Sequence, residues 1–157
     1  MAVDVYLRID GITGESQNQG FKGQIQLASA DFHATQTLNI GSVGSGGGSG
    51  KVQLGPLTIT KLPDTTSPLI FLALAQGSHA ATATLSFVQS GSTSAYLIID
   101  LNVVAFSGMS TSVTGGAPLE TVTLAYGGLK YTVQSQGPTG IVKPVSAGWD
   151  GIRNVKL

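Results

Sequence analysis

Val3-Asp4-Val5-Tyr6-Leu7-Arg8-Ile9-Asp10-Gly11 is the stretch on which the fold class turns. Val3, Val5, Leu7 and Ile9 alternate with Asp4, Tyr6, Arg8 and Asp10, so an extended chain presents an apolar set on one face only. Asp10-Gly11 ends the run as a turn. The same period of two returns along the chain. A second strand begins near Ile25 and Leu27, and a third is expected from Thr35 to Ile40. Val52, Leu54, Leu57 and Ile59 form a strand interrupted by Gly55-Pro56, which predicts a bulge or an edge. Ala83, Leu85 and Phe87 alternate with Thr84, Ser86 and Val88. Ala95 to Phe106 is a long apolar run suited to a central strand. Val122, Leu124 and Tyr126 lead to Gly127-Gly128, which reads as a two-residue hairpin turn before Leu129, Tyr131 and Val133. Ser107 to Pro118 reads as a second turn-rich region.

One segment departs from this period. Ser67-Pro68-Leu69-Ile70-Phe71-Leu72-Ala73-Leu74-Ala75-Gln76-Gly77 predicts a short helix over about 67–76. Ser67 suits the N-cap, Pro68 the first helical position and Gly77 the C-terminal cap. Its apolar residues run most of the way round, so the helix should be buried or covered by a neighbour. The expected fold class is therefore mainly β with one short helix.

The 157 residues fit one domain, 1–157. A chain of this size buries roughly 68–70% of its unfolded surface, enough for a core without disulfides or metals. With no cysteine, thiolate zinc sites, iron–sulfur clusters and thiol nucleophiles are excluded. Eight basic and eight acidic residues cancel, and the basic ones lie scattered singly. That argues against charge-driven nucleic-acid binding and against polybasic membrane attraction. Charged residues make up only 10%, which leaves two readings near even. One is a secreted β-protein with a neutral polar surface; the other is an assembly subunit that hides surface in its neighbours. Asp4 and Arg8 interrupt any signal-peptide core, and no apolar run spans a membrane. Synthesis in the cytoplasm is expected, with export, if any, by a signal-peptide-independent route.

Gly41-Ser42-Val43-Gly44-Ser45-Gly46-Gly47-Gly48-Ser49-Gly50 holds six glycines in ten residues. It separates two strands of one domain, so it is a long loop of functional length rather than a linker. Gly50-Lys51 invites a phosphate-loop reading, but Ser45 and Val52 stand where that motif needs glycine and a hydroxyl. No cofactor is expected. No Gly-x-Ser-x-Gly elbow is present. His33, His79, Glu15 and Glu120 form no assignable catalytic set, and the two histidines lack metal-ligand spacing. Trp149 and the tyrosines could line a sugar-binding face, though a single tryptophan more often anchors packing.

The order of features resembles the Hcp (haemolysin-coregulated protein) family of type VI secretion systems along essentially the whole chain. The residues that carry the resemblance are the Ala2-Val3-Asp4 start, Gly14-Glu15-Ser16, and the glycine loop running into Lys51-Val52. They continue with Leu57 to Lys61, Asp64 to Pro68 before the helix, Gly77-Ser78-His79, Leu119 to Leu124, and Gly148-Trp149-Asp150 with Asn154. The resemblance implies a barrel-like body of two antiparallel β-sheets with the helix at its side. It implies a non-enzymatic subunit whose homo-hexameric rings stack into the inner tube, with Gly41 to Gly50 touching the next ring. Sheath and spike components and small effectors in the lumen are the implied partners, and the protein is itself secreted. With eight residues after Trp149, the toxin domain some members carry is not expected. The alternative is a monomeric β-sandwich that binds carbohydrate or a cell surface.

Overall fold

The computed structural model of the chain describes residues 2–38, 51–137, 140–141 and 143–157. Its elements run β1 (Val3–Ile9), a 3-10 turn (Gln19–Phe21), β2 (Ile25–Leu27), β3 (Ser29–Asp31), β4 (Ala34–Thr35), β5 (Gln53–Leu54) and β6 (Leu57–Lys61). Then follow α1 (Ser67–Gln76), β7 (His79–Gln89), β8 (Ala95–Thr114), β9 (Ala117–Val133), β10 (Gln136–Gly137), β11 (Gly140–Ile141), β12 (Val145–Asp150) and β13 (Val155–Lys156).

The alternation in β1 does what its period requires: Val5, Leu7 and Ile9 are buried, while Arg8 and Asp10 stay exposed. Tyr6 is buried on the opposite face, stacked on Phe21 with centroids 4.8 Å apart. Leu85, Leu101, Ile59, Leu124 and Ile25 come from other strands into the same interior. Each such side chain contributes about 1.5–3 kcal/mol on burial.

The antiparallel pairings join the expected two sheets into one barrel-like wall. β1 pairs with β7, β7 with β8, β8 with β9, β9 with β6, and β6 with β3. Only Ala28 separates β3 from β2, which lies beside β1, and the Ala28 N–H donates to Thr60 O at 2.7 Å. Beyond β6, the same edge of β9 also pairs with β12. The helix rests against β8 and sends Ile70 into the core.

Several expectations change. Gly127-Gly128 is no turn, because β9 runs straight through it. The chain reverses at Gly115-Gly116 (φ 72° and 114°), the left-handed pair a tight hairpin needs. Gly127 serves close approach instead. Its carbonyl accepts from Gly151 N at 2.8 Å, and a Cβ there would lie 2.5 Å from the Ile152 side chain. Most of Ser107 to Pro118 is strand, and β8 continues to Thr114 past a register shift between Phe106 and Gly108. Between the pairs Asn102–Gly128 and Val104–Tyr126, which keep one register, Val103 has a φ of 54°, unusual for a β-branched residue. The third strand is limited to Ala34–Thr35, Gln36 to Leu38 are irregular, and Asn39-Ile40 lie outside the described residues. β3 escaped notice because Ser29-Ala30-Asp31 lacks apolar alternation. Finally, Thr66 rather than Ser67 holds the N-cap position, with no side-chain cap bond. Ser67 Oγ instead accepts from Asp64 N and Lys61 Nζ.

Candidate functional site

Three surfaces and one interior cluster could carry function. The first surface is a small arm. β4 and β5 pair as Ala34 with Leu54 and Thr35 with Gln53, and the described residues on either side of the arm end at Leu38 and resume at Lys51. Gly55 closes the arm: its N–H donates to His33 O at 2.9 Å, and the His33 ring occupies the space a Cβ would need. Gly55 O accepts from the Tyr126 hydroxyl at 2.6 Å. Burial pushes the Tyr126 phenol up to about 12, so it remains a donor at neutral pH. The segment Gly41 to Gly50 itself lies outside the described residues.

The second surface is the far end of the β8–β9 hairpin. No Asp, Glu, Lys or Arg stands between Asp100 and Glu120, and Ser110 to Pro118 is exposed throughout, Val113 to 68%. Among the described residues, β8 has no strand partner past Ala105 on the side where β7 ends. An uncharged free edge of this kind lacks the lysines or inward charges that usually prevent strand addition. The third surface is the outer face of α1, where Leu69, Phe71 and Leu72 are exposed. Among the described residues, Ile70 is the helix residue that is buried.

The interior cluster centres on Lys61, whose side chain has 0% exposure. Its ammonium meets Glu120 Oε2 at 2.8 Å and Asp64 Oδ1 at 3.1 Å, and donates to Ser67 Oγ and Leu62 O, both at 3.1 Å. β6, β9 and the start of α1 are thus tied through one cation. Burial opposes ionisation of Asp64, but its bonds from Thr66 and Lys61 prevail and hold the carboxyl below the usual range. The ammonium is surrounded by acceptors, which makes it a cross-link rather than a base.

The remaining candidate residues stay apart. His33 lies on the arm, His79 begins β7 opposite Ala105, Glu15 is exposed on the loop after β1, and Glu120 is held by Lys61. Among the described residues no group of three His, Asp or Glu side chains is arranged to hold a metal ion. Trp149 is partly buried in β12, paired with Leu129 and Lys156, in the position of a packing anchor.

Residues 6–133 match the family described as "Type VI secretion system effector, Hcp". The chain belongs to the Hcp family. It is 32% identical over 162 residues to Protein hcp1 of Pseudomonas aeruginosa, covering 99% of both chains. A solved type six secretion system protein superposes with TM-score 0.91 at 28% identity, covering 99% of this chain and 100% of that one. Hcp1 from Salmonella typhimurium superposes at 0.82 with 27% identity, covering 100% of each chain. The chain is thus a type VI secretion tube protein of a secreted, structural family. These relatives give no support to the carbohydrate-binding alternative.

The Hcp-like motifs are chiefly structural. Gly14 cannot carry a Cβ because Gln24 O fills that space. The backbone bonds Gly14 N to Gly23 O and Ser16 N to Gln24 O then fold the loop after β1 on itself. The Lys61, Asp64 to Pro68 and Glu120 pieces, far apart in sequence, meet in the buried cluster. Spacing alone could not reveal that meeting, since Lys61 and Glu120 become neighbours only through the β6–β9 register.

Proposed function

We propose that six copies close into a ring through sheet edges, and that rings stack into the tube through the segment Gly41 to Gly50 carried on the β4–β5 arm. The observation that carries this reading is the uncharged edge of β8 beyond Ala105, which no strand among the described residues covers. Sheet edges of this kind add strands, and a heterologous pairing that closes makes a ring. Small effectors occupy the lumen, sheath and spike components engage the assembled tube, and export follows a signal-peptide-independent route. No catalytic step is assigned. Substituting alanine for His33, His79, Glu15 or Glu120 should alter stability or assembly and remove no turnover. A hydrolytic activity lost in any of these variants would contradict that. Ring closure is tested by placing lysine at Ser110 and Ser112, which charges the free edge. The variant should stay folded and run as smaller species on native mass measurement. Intact rings from it would place the lateral contact elsewhere.

A further inference from the structure

The β4–β5 arm has only two paired positions. Two-stranded ribbons are marginal in water even when longer, so the barrel must fix the arm's direction. Phe32 tilts against Tyr131 with centroids 6.4 Å apart, and Leu54 packs near Gly151. Those apolar contacts hold the arm against the wall but are non-directional. Among the described residues, a single side-chain hydrogen bond joins residues 32–38 or 51–56 to the rest of the chain. It runs from the Tyr126 hydroxyl to Gly55 O, 2.6 Å.

Both ends of this bond are set by their surroundings. Tyr126 belongs to β9, opposite Val104 of β8, and packs against the main core. Gly55 uses its N–H to join the two arm strands and its carbonyl to join the arm to the wall. His33 packed over its Cα leaves no alternative residue at that joint. A hydrogen bond is directional where apolar contact is not, so this one fixes the angle at which the arm projects.

We propose that Tyr126 is a positioning residue for assembly, its bond to Gly55 setting the direction of the β4–β5 arm. This rests on the reading that Gly41 to Gly50 touches the next ring. The test compares Tyr126→Phe, Gly55→Ala and a variant with Ser42 through Ser49 replaced by a short turn. Ring mass, thermal stability and tube yield by negative-stain imaging are scored side by side. Tyr126→Phe should keep its rings and give tubes at least about fivefold scarcer, the factor one neutral hydrogen bond supplies. Gly55→Ala, which displaces His33, should reproduce the defect from the arm's side. Hydrogen exchange gives a readout independent of stacking. In Tyr126→Phe the Gln53 to Gly55 amides should exchange about fivefold faster, with β6 and β9 unchanged. Normal exchange or normal tubes from Tyr126→Phe overturns the proposal, as does loss of its rings, which would make the tyrosine part of the lateral contact. Normal tubes from the short-turn variant overturn the stacking reading beneath it instead.

Discussion

Lys61 and Tyr126 each tie a peripheral segment to the same barrel, in opposite ways. The helix is held by a buried ammonium with two carboxylates, a hydroxyl and a carbonyl around it. The arm is held, among the described residues and apart from apolar contact, by one neutral side-chain hydrogen bond. The first arrangement is complete within a single chain and leaves nothing for a partner to add. The second fixes a direction but stabilises little, in keeping with the proposed role of the arm in assembly.

Removing Lys61 should have the largest effect. Lys61→Met leaves buried Glu120 and partly buried Asp64 without their cation, and should lower stability by about 3–5 kcal/mol in a denaturant melt. Adding Glu120→Met to that variant should recover part of the loss. No recovery would mean that the cluster serves packing rather than charge balance. Tyr126→Phe, by contrast, should change stability by only about 0.5–1.5 kcal/mol.

Glycines sharpen the comparison at intermediate size. At Gly14 an added methyl meets the backbone of Gln24, which cannot yield, so Gly14→Ala should cost about 1–3 kcal/mol. Gly127→Ala clashes with the largely exposed Ile152 side chain, which can move, and otherwise meets Val103 Cβ at ordinary contact distance, so thermal unfolding should show a smaller loss.

The smallest effects are those of pH. Asp64 titrates below its ordinary value, so its share of stability is complete above the unfolded pKa of 3.8 and falls away as pH drops through the lowered value. Asp64→Asn should flatten the acid limb of a stability profile. Tyr126 shows the opposite sign. Its raised pKa means the native state keeps a proton the unfolded chain loses, so stability declines as pH climbs from 10 to about 12. Tyr126→Phe should remove that alkaline decline, and an unchanged limb would place the phenol in solvent.

Much of the barrel was legible because burial on one side of a strand writes a period of two, as in β1 and β7. The helix was legible from Pro68 and Gly77, with its cap off by one residue because Lys61 and Asp64 claim the Ser67 hydroxyl. The Gly127-Gly128 misreading is instructive. A glycine pair marks either reversal or close approach, and only the Gly151 to Ile152 turn lying over β9 decides between them. The arm's anchor was illegible, since Tyr126 and Gly55 are 71 residues apart and a tyrosine in an alternating strand reads as packing.

Assembly is the claim on which the rest depends, and native mass of the purified chain tests it most directly. A closed species of six subunits, persisting on dilution and imaged as rings, is the predicted result. A strictly monomeric protein at about tens of micromolar, where a tube subunit should be associated, would contradict it.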